Sequence, residues 1–120
     1  MCLFIRGLVS RAVIMRKEEK TMNIKKGDKW YARIDYWNEG TNYTDKDLED
    51  CLSYLNDVAK ERSFIGGHFS VRDGALMVFS AESFEEAEKI VKNDPFIARG
   101  FYRYELLEWH IGILSEDIVG

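Results

Sequence analysis

Imidazole exchanges protons near neutral pH without help from its surroundings, and the sequence holds two histidines, His68 and His110. His68 sits in FIGGHFSV and is the candidate general base; a histidine packed at an interface is the competing reading. His110, in EWHIG, falls at the fraying end of a strand and reads as solvent-exposed. Asp94, in Asn93-Asp94-Pro95-Phe96, also has two readings. An aspartate before proline can shape a turn by bonding nearby backbone. In a site it would orient or polarise a base, or act as base itself where burial raised its pKa. Arg33, in KWYARIDYW, could hold a carboxylate or enolate, with Tyr31 and Trp37 as aromatic walls; an internal ion pair with Asp35 is the alternative. Ser70 stands two residues beyond His68 on the same strand face, a hydroxyl for ligand binding rather than an activated nucleophile. Cys51 lies on an apolar helical stripe and reads as a buried, inert thiol. No Cys-x-x-Cys and no Cys/His cluster occurs, so neither metal nor cofactor is expected.

The elements that must position these groups can be read from period and punctuation. Lys29–Trp37 alternates as a strand. Thr44 caps a helix whose stripe is Leu48, Cys51, Leu52, Leu55, Val58 and Ala59, with Asp45 and Asp47 at its positive end. Phe64–Val71 and Ala75–Ala81 flank Asp73-Gly74, which predicts a hairpin with a two-residue turn. That turn pairs His68 with Phe79 and Ser70 with Met77. One face then holds Gly66, His68, Ser70, Met77 and Phe79; the other holds Ile65, Phe69, Val71, Leu76 and Val78. The second, uniformly apolar set is expected to meet the helices. Ser83-x-x-Glu86 opens a second helix as a capping box, with Phe84, Ala87, Ile90 and Val91 inward. Pro95 ends it near Asn93, and Phe101–Ile111 is the last strand.

The order β-α-β-β-α-β predicts an α+β fold, a ferredoxin-like antiparallel four-stranded sheet with two helices on one face. The uncovered face would present Tyr31, Arg33, Trp37, His68, Met77, Phe79, Leu107 and Trp109. A patch of that size is expected to be buried by a second copy, giving a homodimer.

A chain of 120 residues is one domain by length, and 46% hydrophobic and 32% charged residues are globular values. A net charge of −4 argues against nucleic acid as a partner. The start, MCLFIRGLVSRAVIM, is too short and too charged to span a bilayer, and Met22 precedes the first convincing element. Residues 1–27 are therefore expected to be an extension, either upstream of the true start or carrying an amphipathic helix that docks on the domain or on a partner, 28–112 the domain, and 113–120 a tail. Two cysteines without a framework fit a reducing, cytoplasmic setting.

The stretch AESFEEAEKIVKNDPFIARGFYRYELLEW resembles the YCII-related family of small dimeric α+β barrel proteins. The capped second helix, Asp94-Pro95-Phe96, Gly100 and the strand closing on Trp109 carry the resemblance. Cys51-Leu52-Ser53-Tyr54-Leu55 and Gly66-Gly67 fit the same register. It implies a homodimer whose two sheets form a shared barrel. The family typically carries a histidine in the first helix paired with the aspartate of the Asp-Pro motif. Asp94 keeps the second position, Cys51 stands at the first, and His68 falls where members often have proline.

Two functions follow as expectations. In the first, the chain is an enzyme of isomerase or lyase type doing acid/base chemistry on a small anionic organic molecule. His68 would be its base, Asp94 in support, and Arg33, Tyr31, Trp37 and Ser70 the binding residues. In the second, it is a non-catalytic ligand-binding or dimeric accessory module.

Overall fold

Alternation along Lys29–Trp37, broken at the adjacent buried pair Trp30-Tyr31, makes β1, and β1 is the strand on which everything else is hung. The computed structural model describes residues 23–117, so the apolar N-terminal stretch lies outside the described residues. Helix α1 (Asp45–Glu61) begins at Thr44, whose hydroxyl accepts from the Asp47 amide while the Asp47 carboxylate accepts from the Thr44 amide. Two orphan donors of the first turn are thereby satisfied. Strands β2 (Phe64–His68) and β3 (Ala75–Phe79) follow, then α2 (Phe84–Lys92), the single turn α3 (Pro95–Ala98) and β4 (Tyr102–His110). The sheet order is β2-β3-β1-β4, antiparallel throughout, with β3 and β4 flanking β1. This is the ferredoxin-like split βαβ arrangement.

The segment 93–101 differs from a simple break. Asp94 is itself an N-cap, its side chain accepting from the Phe96 amide, and Pro95 occupies the first helical position. Proline is favoured there because its missing N–H would be an orphan in any case. The resulting turn of helix carries Phe96 into the core, where it is 4% exposed.

The hairpin also departs from the expected register. His68 lies opposite Ala75, Gly66 opposite Met77 and Phe64 opposite Phe79. The loop 69–74 replaces a two-residue turn, and it is closed by the Phe69 amide donating to the Gly74 carbonyl at 3.1 Å. Gly74 has φ of +121°, and a Cβ there would collide with the Asp35 carbonyl, so only glycine fits. The pairing slips by four residues, an even number, so His68 still shares a face with Met77 and Phe79.

The assignment of faces is reversed. Tyr31, Phe79, Ala87 and Val91 form a core cluster, so the face bearing Tyr31, Arg33, Met77, Phe79 and His68 lies under the helices. Ile65, Leu76, Leu107 and Trp109 lie on the open face, 42–53% exposed. Leu107 and Trp109 are where the alternation put them; Tyr31, Arg33, Trp37, His68, Met77 and Phe79 are not. Uniform apolarity is a poor guide here because the mixed face neutralises its own charges and can be buried. Trp30 also points to the open side but is covered by Ile24, Ile111 and Leu114.

Candidate functional site

Arg33 and Asp35 alternate onto the helix-facing side of β1, directly beneath the loop that ends α2. The Arg33 Nε donates to Asp35 Oδ1 at 2.8 Å and its Nη2 to Asp35 Oδ2 at 2.9 Å. The same Nη2 donates to Asp94 Oδ2 at 2.6 Å, while Asp94 Oδ1 accepts the Phe96 amide at 2.9 Å. Arg33 is 1% exposed, and Asp35 and Asp94 are 0% exposed. Two carboxylates thus share one guanidinium in a dry interior. Burial opposes the charge on Arg33, but Asp35 and Asp94 outweigh it, and its pKa is raised. Burial pushes the Asp35 carboxyl up against the opposing pull of Arg33, because one cation cannot fully compensate two anions.

Cys51 reaches the same cluster from α1. Burial, reinforced by the Asp94 carboxylate, pushes its thiol up to about 12. A nucleophilic cysteine needs the opposite shift. Below pH 9 the thiol is protonated in folded and unfolded chains alike. Between pH 9 and about 12 only the unfolded chain ionises, so this group makes stability fall across that window. Cys51 is therefore expected to resist iodoacetamide at pH 8 in native protein and to react in denaturant, as peptide mass spectrometry would read separately from Cys2.

Beside this cluster lies a cleft of about 580 Å³ between α1 and the β2–β3 hairpin. Gly66, Gly67 and Ala75 on the hairpin and Leu48, Cys51, Leu52 and Leu55 on the helix line it. The near absence of side chains along Gly66-Gly67 is what leaves the space. It also explains why Leu48 and Leu52, expected in a buried stripe, are 37% and 52% exposed. Tyr43, Phe64, Phe69, Phe96 and Tyr102 supply aromatic surface. His68, Arg72 and Asp73 are also among its lining side chains.

The predicted site residues separate into groups. Arg33 and Asp94 are bonded to each other beneath the cleft, with Cys51 between them and it. His68 lines the cleft and is exposed, and among the described residues nothing bonds its ring. Tyr31 is sealed in the core against Phe79 and Phe84. Trp37 packs edge-on against Tyr43 and Tyr102 and so backs two of the lining residues. Ser70 is exposed in the loop and is not part of the lining. Arg72 and Asp73 lay unsuspected in the presumed turn; the glycine pair and the loop length were the only signals that could have exposed them. Among the described residues no group of three or more His, Cys, Asp or Glu side chains converges as metal ligands would.

An α+β sheet with helices on one face and an apolar-lined cleft beside a buried Asp-Pro turn defines a class of small ferredoxin-like proteins. The YCII-related domain model matches residues 29–110, and the chain belongs to that family. No curated protein matches it. Among solved structures it is similar to 5-chloro-2-hydroxyhydroquinone dehydrochlorinase (TftG) from Burkholderia phenoliruptrix, in complex with 2,5-dihydroxybenzoquinone. The identity is 20%, the match covers 69% of this chain and 95% of that one, and the TM-score is 0.60. At that identity the likeness establishes the shared fold. Among the described residues no helix is long and apolar enough to cross a membrane.

Proposed function

We propose that the chain is a cytoplasmic enzyme of lyase or isomerase type, moving protons on a small anionic organic molecule held in the cleft between α1 and the hairpin. The observation that carries this reading is His68, an exposed imidazole at the wall of an aromatic-lined cleft. Its volume, about 580 Å³, falls within the usual range for small-molecule sites. His68 takes a proton from the bound molecule, and the electron pair left behind shifts a double bond or expels a leaving anion. Asp94 acts through others: it holds Arg33 and caps the turn that presents Phe96 to the cleft. The likeness to the dehydrochlorinase supports a hydroxylated ring as the substrate type. Incubation with chlorinated hydroquinones, including 5-chloro-2-hydroxyhydroquinone, should release chloride at a rate proportional to enzyme. Saturable binding of such compounds with no release of chloride and no rearrangement would instead favour a ligand-binding module.

The homodimer belongs to the same proposal. Ile65, Leu76, Leu107 and Trp109 form an exposed apolar stretch across the open face, which a second sheet would cover. Sedimentation at micromolar concentration should give a dimer, and Leu107→Asp with Trp109→Asp should give a folded monomer. A wild-type monomer, or a dimeric double variant, would remove the face-to-face assembly.

A further inference from the structure

Arg72 is, among the residues lining the cleft, the only lysine or arginine. Its environment differs from that of the arginines that serve the fold. Arg33, Arg62 and Arg99 each pair with carboxylates. Among the described residues no carboxylate lies within ion-pair distance of Arg72. Instead its guanidinium carbon stands 4.7 Å from the centroid of the Phe69 ring and 5.4 Å from that of Tyr36. Contact with aromatic faces fixes a guanidinium plane without using the N–H donors along its edge. Among the described residues only Nε is engaged, donating to the Asp73 carbonyl at 3.2 Å. The two terminal nitrogens keep their donors, an oriented fork of the kind that takes a carboxylate or a pair of adjacent oxygens bidentately.

We propose that Arg72 is the residue that selects the ligand, and that the ligand class is a planar hydroxylated ring bearing a carboxylate or an ionised oxygen pair. This deepens the reading of the cleft as the ligand site and rests on it. Arg33, sealed beneath the floor with two carboxylates, leaves that role open. Phe96, Tyr102 and Tyr43 give a flat ring its walls. The Asp73 carboxylate at the same rim repels a bare anion but accepts from a ring hydroxyl, so the pair Arg72-Asp73 favours a ligand that carries both groups.

The test is calorimetric titration with 2,5-dihydroxybenzoate, which carries a carboxylate and ring hydroxyls, and with hydroquinone, the same ring without the carboxylate. Arg72→Met should bind the anion about tenfold to a hundredfold more weakly and hydroquinone unchanged. Arg72→Lys should keep part of the affinity, since it retains the charge but loses the fork. Leu52→Trp, which fills the cleft from α1, should abolish binding of both. If Arg72→Met binds the anion as the wild type does while Leu52→Trp does not, the Arg72 assignment fails and the cleft stands. Equal weakening of both ligands in Arg72→Met means the residue only holds the loop, and likewise overturns it. Undiminished binding by Leu52→Trp, or none by the wild type, removes the cleft as the site together with the proposal.

Discussion

Arg33→Met is expected to destabilise the folded chain by about 3–5 kcal/mol, the largest loss of any single substitution considered. The reason is not the value of the ion pair itself. Removing the guanidinium leaves Asp35 and Asp94 facing each other in an interior where both are 0% exposed. An uncompensated buried charge must either stay desolvated or take up a proton, and either way folding becomes less favourable. Urea denaturation should show the lower midpoint with an unchanged slope. Adding Asp35→Leu to Arg33→Met should recover part of the loss, because it removes one of the stranded carboxylates. If Arg33→Met melts within about 1 kcal/mol of the wild type, the triad is not a coupled unit.

The second large effect falls on chemistry rather than stability. His68→Ala should lower turnover of whichever chlorinated hydroquinone the wild type converts by about 100-fold to 10,000-fold, the range for a lost general base. Its melting should change little, within about 0.5 kcal/mol, because the side chain is exposed and makes no bond among the described residues. His68→Gln keeps the shape and hydrogen-bonding capacity but not the proton exchange, and should be equally slow. Turnover by His68→Gln at the wild-type rate would move the base elsewhere. Loss of binding as great as the loss of turnover would make His68 a ligand-holding residue only.

The sequence alone determined the elements and their order, apart from the single turn α3, because those depend on local chemistry. Thr44 and Ser83 cap helices through their own hydroxyls. Pro95 stops α2, and alternation marks β1 over the residues read for it, Lys29–Trp37. The antiparallel ferredoxin-like sheet follows from that order and from the handedness of crossovers. Asp94 and Arg33 were also singled out, but not that they bond each other at 2.6 Å across 61 positions of sequence. Parity along a strand says which residues share a face; it does not say which face the helices cover. That choice was made by the tertiary structure. Arg33 and Asp35 lie beneath the helices, where Asp94, arriving from the far side of α2, accepts a further bond from the same guanidinium. The uniformly apolar face, the better core by composition, is left open. The hairpin shows the same limit. Asp73-Gly74 predicts a tight turn locally, yet the pairing of Phe64 with Phe79 sets the register and leaves a loop at 69–74. That loop puts Arg72 between aromatic rings at the mouth of the cleft, a placement no spacing in the sequence encodes. The cleft itself exists because α1 passes over two glycines, and only the fold brings those two segments together.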